Sequence, residues 1–181
     1  MGNCPTIETE RLLLRPFRDD DLAAYTAMMQ TPEVRAALHL PGDIGPEQAW
    51  QQMAMWLGQW ELRGTGQWAL EERATGAFVG RAGSHWPERE GWPGIEIGWT
   101  LHPDHWGKGY ATEAGAAARD HAFAHHAVDA LYSVILPENL PSQAVATRLG
   151  FTAWEERVLP FFPSMPHVVW RLTREDARRA R

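Results

Sequence analysis

A chain of 181 residues with 44% hydrophobic and 22% charged residues has the size and composition of one globular domain. Its net charge of −6 argues against a nucleic-acid partner, since proteins that bind phosphate backbones usually carry a basic face. No apolar run approaches the roughly 18 residues of a membrane span, no secretory signal pattern opens the chain, and one cysteine, Cys4, excludes an internal disulfide, so we expect a cytoplasmic protein without a membrane partner.

The first third of the chain predicts a strand followed by two helices. Alternating apolar residues at 7–17 predict an opening strand. Acidic capping residues at 19–21 begin a helix that extends to about Gln30 and ends at Thr31-Pro32. After a loop at 41–46, a second helix is predicted from Pro46 to about Arg63.

The rest of the chain alternates strands and helices. A turn at Thr75-Gly76 predicts a hairpin of strands 67–72 and 77–85, and a Pro/Gly-rich loop follows at 87–94. The later predicted elements are strand 95–101, helix 109–125, strand 130–136, helix 139–149 and strands 152–159 and 167–172. A strand–helix–strand run requires a parallel crossover. The predicted fold is therefore α/β, a mixed sheet with helices on both faces, in one domain (1–181) whose core spans 6–173 and whose tail, 174–181, is a solvated turn.

The strongest functional pattern lies between a predicted strand and a predicted helix, at residues 106–112. Gly107 and Gly109 let the backbone approach a ligand closely because neither has a Cβ. The first turn of the helix presents unpaired N–H groups and the positive end of the helix dipole, which suits an anion such as a pyrophosphate. Neither a P-loop nor a Rossmann pattern is present, so an anion site and a tight turn both remain open at this point.

The same segment resembles the acetyl-CoA signature of the GNAT superfamily, Gln/Arg-x-x-Gly-x-Gly/Ala, over residues 106–111. Trp106 stands where the family most often has Gln or Arg. Residues 105–114 resemble the RimJ/RimL-like (ribosomal-protein-alanine acetyltransferase) branch, from whose common pattern they differ only at His105. The resemblance implies that acetyl-CoA is the co-substrate and that its pyrophosphate binds main-chain N–H groups here. The residues implied are Trp106, Gly107, Lys108, Gly109, Tyr110, Ala111 and Thr112.

A second block, residues 139–151, resembles the family motif Asn-x-x-Ser-x-x-Val-x-x-x-x-Gly-Phe. Taken from the residues alone, Asn139 predicts a helix N-cap and Gly150 a C-terminal stop. The resemblance adds that Asn139 and Ser142 lie beside the pantetheine arm of the cofactor.

The resemblance extends over residues 6–173 and implies the GNAT-type acyl-CoA N-acyltransferase fold, in which two neighbouring parallel strands splay apart around the pantetheine. Here these strands end near Leu101 and Leu136. In the family a main-chain N–H of the first strand faces the thioester oxygen, and Trp99 and Leu101 are the candidates for this donor. A backbone donor aimed where charge develops stabilises it by about 3 kcal/mol.

Transfer to an alkylamine also needs a proton acceptor, because the amine is protonated at pH 7. Glu96 is the first candidate, since on its strand it points away from the face of Ile95 and Ile97. Its alternative is a solvent-facing strand glutamate. Glu71 and His85 are the reserves.

The leaving thiolate needs a proton donor, and many family members place a tyrosine in the second-motif helix for this purpose. Here that position is Ala146, which departs from the family. Tyr110 and Tyr132 occupy other motif positions and do not replace it. Ser142 resembles the serine that this branch uses, and its alternative is an exposed serine of the first helical turn.

Five aromatic side chains fall in the region that borders the acceptor cleft of the family, although each is also a candidate core residue. They are Trp56, Trp60, Trp68, His85 and Trp86. The histidine pairs 121/125 and 102/105 have no accompanying cysteine or HExxH-type carboxylate, so no metal site is predicted.

The sequence therefore predicts an acetyl-CoA-dependent N-acetyltransferase that acetylates a primary amine, on a protein N-terminus or a small molecule, by direct attack in a ternary complex. A non-catalytic acyl-CoA-binding sensor or scaffold is the alternative, because Ala146 and the open choice of base leave the chemistry undecided. A homodimer is expected only because twofold dimers are the commonest oligomers. Acceptor choice is expected to lie in residues 40–60 and 86–94, which carry no recognisable motif.

Overall fold

The computed structural model describes residues 4–38, 42, 44–160 and 162–179, and this part of the chain forms an eight-stranded sheet in the order β1-β2-β3-β4-β5-β6-β8-β7. The strands are β1 (Ile7–Glu8), β2 (Leu12–Arg15), β3 (Gln67–Glu72), β4 (Phe78–His85), β5 (Glu96–Leu101), β6 (Ala130–Ile135), β7 (Thr152–Val158) and β8 (Pro166–Thr173). The helices are α1 (Leu22–Gln30), α2 (Pro32–Leu38), α3 (Pro46–Arg63), α4 (Tyr110–His125), α5 (Leu140–Arg148) and α6 (Arg174–Arg179). Within the predicted loop at 41–46, Pro41 and Asp43 lie outside the described residues.

One pair of neighbouring strands in the described sheet, β5 and β6, is parallel, and the other pairs are antiparallel. The parallel pairing is short: Glu96 is in register with Tyr132, and the Tyr132 N–H donates to the carbonyl of Ile95 at 2.9 Å. The connection through α4 is the crossover that the strand–helix–strand pattern predicts.

Helices cover both faces of the sheet, as predicted. On one face α4 and α5 pack over a core that includes Ile97, Leu131 and Phe151. On the other face α1, α2 and α3 enclose a second core around Tyr25 and Met53. None of the described helices is long and apolar enough to cross a membrane.

Two predictions for the N-terminal third need correction. The opening strand 7–17 is two short antiparallel strands joined by a turn, with Ile7 opposite Leu14. Thr31-Pro32 does end α1, but a further helix, α2, begins at Pro32 and was not predicted. Its first turn is capped by Thr31, whose hydroxyl accepts from the Val34 N–H at 3.4 Å, and proline suits the first helical position.

The C-terminal segment is not a solvated turn throughout, because residues 174–179 form α6 and Arg174 is held by three backbone carbonyls. Its guanidinium donates to Val128, Phe123 and His126 at 2.9, 2.8 and 2.6 Å. Phe123 lies in the last turn of α4, where a cation is favoured by the helix dipole. Arg181 lies outside the described residues.

A buried ion cluster joins the start of α1 to the sheet. Arg15 and Asp21 are each 5% exposed, and their side chains form two hydrogen bonds, at 2.7 and 2.8 Å. The Arg15 Nε donates to Glu71 at 2.7 Å. The Asp21 hydrogen bond raises the pKa of Arg15, so the guanidinium is charged and depends on both carboxylates.

We predict that Asp21→Ala destabilises the protein by about 3–5 kcal/mol, because it leaves the buried Arg15 charge without its main partner. Chemical denaturation followed by circular dichroism measures the loss. Asp20→Ala, at an exposed position of the same turn, is the control and is expected to change stability by less than about 0.5 kcal/mol. Equal effects of the two substitutions would contradict the prediction.

Candidate active site

A cavity of about 870 Å³ opens where the C-terminal end of β5 meets the N-terminal ends of α4 and α5. The turn between β1 and β2 and one face of α2 complete its walls. The lining residues are Glu10, Arg11, Val34, Ala37, Leu38, Trp99, Thr100, Leu101, His105, Trp106, Gly107, Gly109, Tyr110, Ala111, Thr112, Glu113, Asn139, Pro141, Ser142, Ala144, Val145 and Arg148.

The loop that opens α4 has the backbone shape that its glycines predict. Gly107 and Gly109 have φ of 74° and 82°, in the left-handed region that strains residues with a Cβ. No atom lies within 4 Å of a Cβ built on Gly107, so the loop faces open space. The N–H groups of the first turn of α4 have no carbonyl available within the helix, which leaves them for a ligand.

Trp106, which departs from the family signature, ties this loop to the sheet. Its indole N–H donates to the carbonyl of Leu101 at 2.8 Å. Leu101 is the last residue of β5, and its carbonyl lies on the edge where β6 is no longer paired with β5. The tryptophan therefore satisfies a strand end that would otherwise lack a partner.

The edge of β5 that faces β6 is open beyond the single paired position. The Ile95 carbonyl accepts from Tyr132 of β6, whereas the His102 N–H donates to Val79 of β4. Because amides alternate between the two edges of a strand, those of Trp99 and Leu101 face the gap between β5 and β6. Both residues line the cavity.

The N-terminal turn of α5 forms the opposite side of the gap. Asn139 is the N-cap, as predicted, and its side-chain oxygen accepts from the Ser142 N–H at 3.2 Å. Asn139, Ser142 and Arg148 all line the cavity. The main-chain N–H groups of residues 107–112, called the N–H cradle below, suit a pyrophosphate, and the gap between β5 and β6 suits a narrow pantetheine arm. With Arg148 as a nearby cation, these features together fit acetyl-CoA.

The predicted cofactor residues converge on this cavity with one exception. Nine of the ten line it, namely Leu101, Trp106, Gly107, Gly109, Tyr110, Ala111, Thr112, Asn139 and Ser142. Trp99, the other candidate for the main-chain donor, lines it too. Lys108 does not line it; its carbonyl accepts from Arg11 at 2.7 Å. Tyr110 turns its hydroxyl away to donate to Glu72, and this hydrogen bond raises the pKa of Tyr110.

The candidate bases lie apart from the cavity. Glu96 is on the α1–α3 side of β5, where one oxygen accepts from the Val134 N–H at 3.3 Å and the other is 3.4 Å from the His85 Nδ1. The 8% exposed His85 leaves its Nε2 buried without a partner in the described structure. Glu71, the other reserve, is held by Arg15 at 2.7 Å.

None of the five predicted acceptor-wall residues lines the cavity. Trp60 and Trp68 are 1% and 0% exposed and pack against His121, so they belong to the core and we do not carry them into the acceptor site. Trp56 contacts His85, with ring centroids 5.0 Å apart. Trp86 is 39% exposed and lies under Arg63.

Several lining residues were not found from the sequence. Val34, Ala37 and Leu38 come from the unpredicted helix α2, and Arg11 and Glu113 meet only through the fold. No local signal marks these residues, since each looks like an ordinary amphipathic or surface position.

The histidine pairs give no sign of a metal site. His121 and His125 stack with ring centroids 4.1 Å apart, and burial, helped by the neighbouring histidines, lowers the pKa of His121 to about 4. Among the described residues no group of three or more His, Cys, Asp or Glu side chains is arranged to hold a metal ion.

Comparison with known proteins links this architecture to one family. Residues 11–152 match the model of the acetyltransferase (GNAT) domain. An acetyltransferase of Agrobacterium tumefaciens, solved by crystallography, is 34% identical with a TM-score of 0.81, covering 94% of this chain and 95% of that one. The uncharacterized N-acetyltransferase YoaA of Bacillus subtilis is 26% identical over 147 residues, which are 81% of this chain and 82% of YoaA.

Two more distant structures share the fold. The ribosomal-protein-S5-alanine acetyltransferase of Vibrio fischeri is 16% identical with a TM-score of 0.75, covering 95% of this chain and 98% of that one. The aminoglycoside acetyltransferase AAC(6')-Ib, solved with coenzyme A, is 19% identical with a TM-score of 0.75, covering 93% and 98%. At these identities the likeness concerns the fold alone.

We predict that Ala111→Phe weakens binding of coenzyme A roughly ten- to hundred-fold, because the ring fills the cradle and overpacking costs about 1–3 kcal/mol. Isothermal titration calorimetry measures the dissociation constant. Ala124→Phe, at an exposed position near the other end of α4, should bind as the unmodified protein does. Unchanged affinity of Ala111→Phe would place the ligand elsewhere.

Proposed function

The chain belongs to the GNAT family of acetyltransferases and is an acetyl-CoA-dependent N-acetyltransferase, and from that premise we propose that it transfers the acetyl group directly to a primary amine in a ternary complex. The proposed acceptor is the α-amine of a protein N-terminus, as in the RimJ/RimL-like branch, or the amine of a small molecule. The cytoplasm is its proposed compartment, and a homodimer its proposed assembly.

The observation that carries this proposal is the continuity of the cavity. The N–H cradle of α4, the open edge of β5 and the apolar face of α2 line the same space of about 870 Å³, a size typical of small-molecule sites. A cofactor held at the cradle and an acceptor resting on α2 would therefore meet beside β5.

Bound acetyl-CoA supplies an acetyl group activated as a thioester, and the chain supplies orientation and charge stabilisation. We assign the donor role to the main-chain N–H of Trp99 or Leu101, whose amides face the gap. Such a donor is fixed by the strand before reaction, so it needs no reorganisation when negative charge develops on oxygen.

Glu96 is the proposed proton acceptor, with His85 beside it. The carboxylate does not line the cavity, so we infer that the proton reaches it through water, as in many sites whose contacts tighten when substrates bind. Glu71 is no longer proposed, because its carboxylate is committed to Arg15 and its loss would also disturb the buried ion cluster.

Ser142 is the proposed group beside the leaving sulfur. It lines the cavity at the first turn of α5, whereas Ala146, at the position of the tyrosine in many family members, is fully buried. A serine is a weak acid, so its role is to relay a proton from water or to orient the sulfur.

Direct transfer is favoured over an acetylated cysteine because burial raises the pKa of Cys4 to about 12. A thiol with this pKa stays protonated at neutral pH and is a poor nucleophile. Cys4 is the one cysteine in the sequence.

We predict that Glu96→Gln lowers kcat about 100-fold or more, because the amide cannot accept the amine proton, and leaves the affinity for coenzyme A unchanged. The amide oxygen can still accept from Val134, so folding should be preserved. Steady-state kinetics and calorimetry measure the two quantities. Glu156→Gln, on an exposed strand position of β7, is the control, and full turnover in Glu96→Gln would exclude Glu96 as the base.

We predict that Ser142→Ala lowers kcat roughly 10- to 100-fold while KM for acetyl-CoA stays near normal, because the hydroxyl acts on the leaving group and not on the cradle. Thr147→Ala, on the exposed side of the same helix, is the matched control. Unchanged turnover would remove Ser142 from the mechanism.

The proposed function itself is tested by release of thiol from acetyl-CoA. The protein is incubated with a polyamine, an aminoglycoside, a free amino acid or a peptide beginning with alanine, and free thiol is measured with a chromogenic reagent. Release of thiol in the presence of one of these amines identifies the chemical class of the acceptor. Tight binding of coenzyme A without release on any amine would favour the sensor or scaffold alternative.

A further inference from the structure

The turn between β1 and β2 contacts the start of α4, about a hundred residues away in the chain. Thr9 and Arg11 lie in or beside this turn, and both bond to Glu113 in the first turn of α4, at sequence separations of 104 and 102. Arg11 also lines the cavity. These contacts join the N-terminal hairpin to the loop that opens α4.

Glu113 fixes the Arg11 side chain. One carboxylate oxygen accepts from the Thr9 hydroxyl at 2.6 Å and the Arg11 N–H at 2.8 Å, and the other accepts from the Arg11 Nε at 2.8 Å. Burial alone would raise the pKa of Glu113, but the hydrogen bonds from Thr9 and Arg11 together lower it. The carboxylate is therefore ionised, and charge-assisted bonds hold the guanidinium in one orientation.

The other end of the guanidinium reaches the loop backbone. Its Nη1 donates to the carbonyl of Lys108 at 2.7 Å, and its Cζ lies 4.8 Å from the centre of the Tyr110 ring. A Cβ on Gly109 would lie 3.3 Å from the Arg11 Nη2, so glycine at this position leaves room for the guanidinium.

This contact restrains the part of the loop that is intrinsically least restrained. Lys108 lies between two glycines with positive φ, and glycine has more conformational freedom than any other residue. Without an anchor, the loop would lose that freedom only when the anion binds, at a cost in affinity. One strong hydrogen bond to the central carbonyl lowers this cost beforehand.

We propose that Arg11 is a positioning residue that pre-forms the N–H cradle through the carbonyl of Lys108, with Glu113 as its anchor. Its charge, in the cavity wall, adds to the attraction for a diphosphate. The inference rests on the proposed binding of acetyl-CoA and adds a residue outside both sequence motifs to the machinery that binds the cofactor.

Arg73, which directly follows β3, offers a matched control because its side chain bonds to the same turn between β1 and β2. Its side chain is 45% exposed against 44% for Arg11, and its Nη1 donates to the carbonyls of Thr9 and Glu10 at 2.7 and 3.3 Å. It supports the hairpin but makes no described hydrogen bond to the α4 loop. Arg73→Met therefore reports the effect of weakening the hairpin alone.

The test compares Arg11→Met, Glu113→Gln and Arg73→Met with the unmodified protein. Calorimetry with coenzyme A measures affinity, and hydrogen exchange followed by mass spectrometry measures protection of residues 106–113 in the ligand-free protein. Arg11→Met should weaken binding about tenfold or more, since a hydrogen bond to a charged group is lost, and should speed exchange in the loop. In turnover, KM for acetyl-CoA should rise while kcat changes little.

Glu113→Gln should act in the same direction with a smaller effect, and it carries the test if Arg11→Met does not fold. Arg73→Met should match the unmodified protein in both measurements. Unchanged affinity or unchanged loop exchange in Arg11→Met, or an equal loss in Arg73→Met, would overturn the proposal. Absence of binding by the unmodified protein would instead refute the proposed function, and loop exchange in the ligand-free variants would still test the role of Arg11.

Discussion

Two neighbouring parallel strands, β5 and β6, are paired near Glu96 and Tyr132 and separate beyond that point, and the rest of the site depends on this separation. It leaves the amides of Trp99 and Leu101 facing a gap instead of a strand, and such unpaired backbone groups need a ligand or another partner. Two backbone groups beside the gap have side-chain partners within the protein. The Leu101 carbonyl accepts from the Trp106 indole, and the Val134 N–H donates to the Glu96 carboxylate. What remains open is the edge that lines the cavity.

The elements around the gap are held by contacts between distant parts of the chain. The first turn of α4 is fixed by the bonds from Arg11 to Glu113 and from Tyr110 to Glu72 of β3. Its last turn is held by Arg174. A long helix secured at both ends presents its N-terminal N–H groups in a constant place, which is what recognition of an anion by backbone groups requires.

The proposed cofactor-binding part of the site and the proposed proton-transfer part lie on different sides of β5. The cradle and Ser142 line the cavity, whereas Glu96 and His85 lie among Trp56 and the other side chains on the α1–α3 face. This separation follows from the alternation of side chains along a strand, because even-numbered residues of β5 leave the sheet opposite Trp99 and Leu101. Transfer through the gap would join the two sides.

The sequence alone determined the features that depend on local backbone chemistry. The loop shape at Gly107 and Gly109, the Asn139 cap and the order of strands and helices from Pro46 to Thr173 follow from dihedral preferences, capping and hydrophobic period, and a motif resemblance indicated the family. Tertiary structure decided what depends on distant contacts: that Trp60 and Trp68 are core and not cavity wall, that α2 supplies that wall, and that Arg11 reaches the carbonyl of Lys108. Neither burial nor a partner some hundred residues away leaves a mark in a local pattern, because both arise only when the sheet brings the segments together.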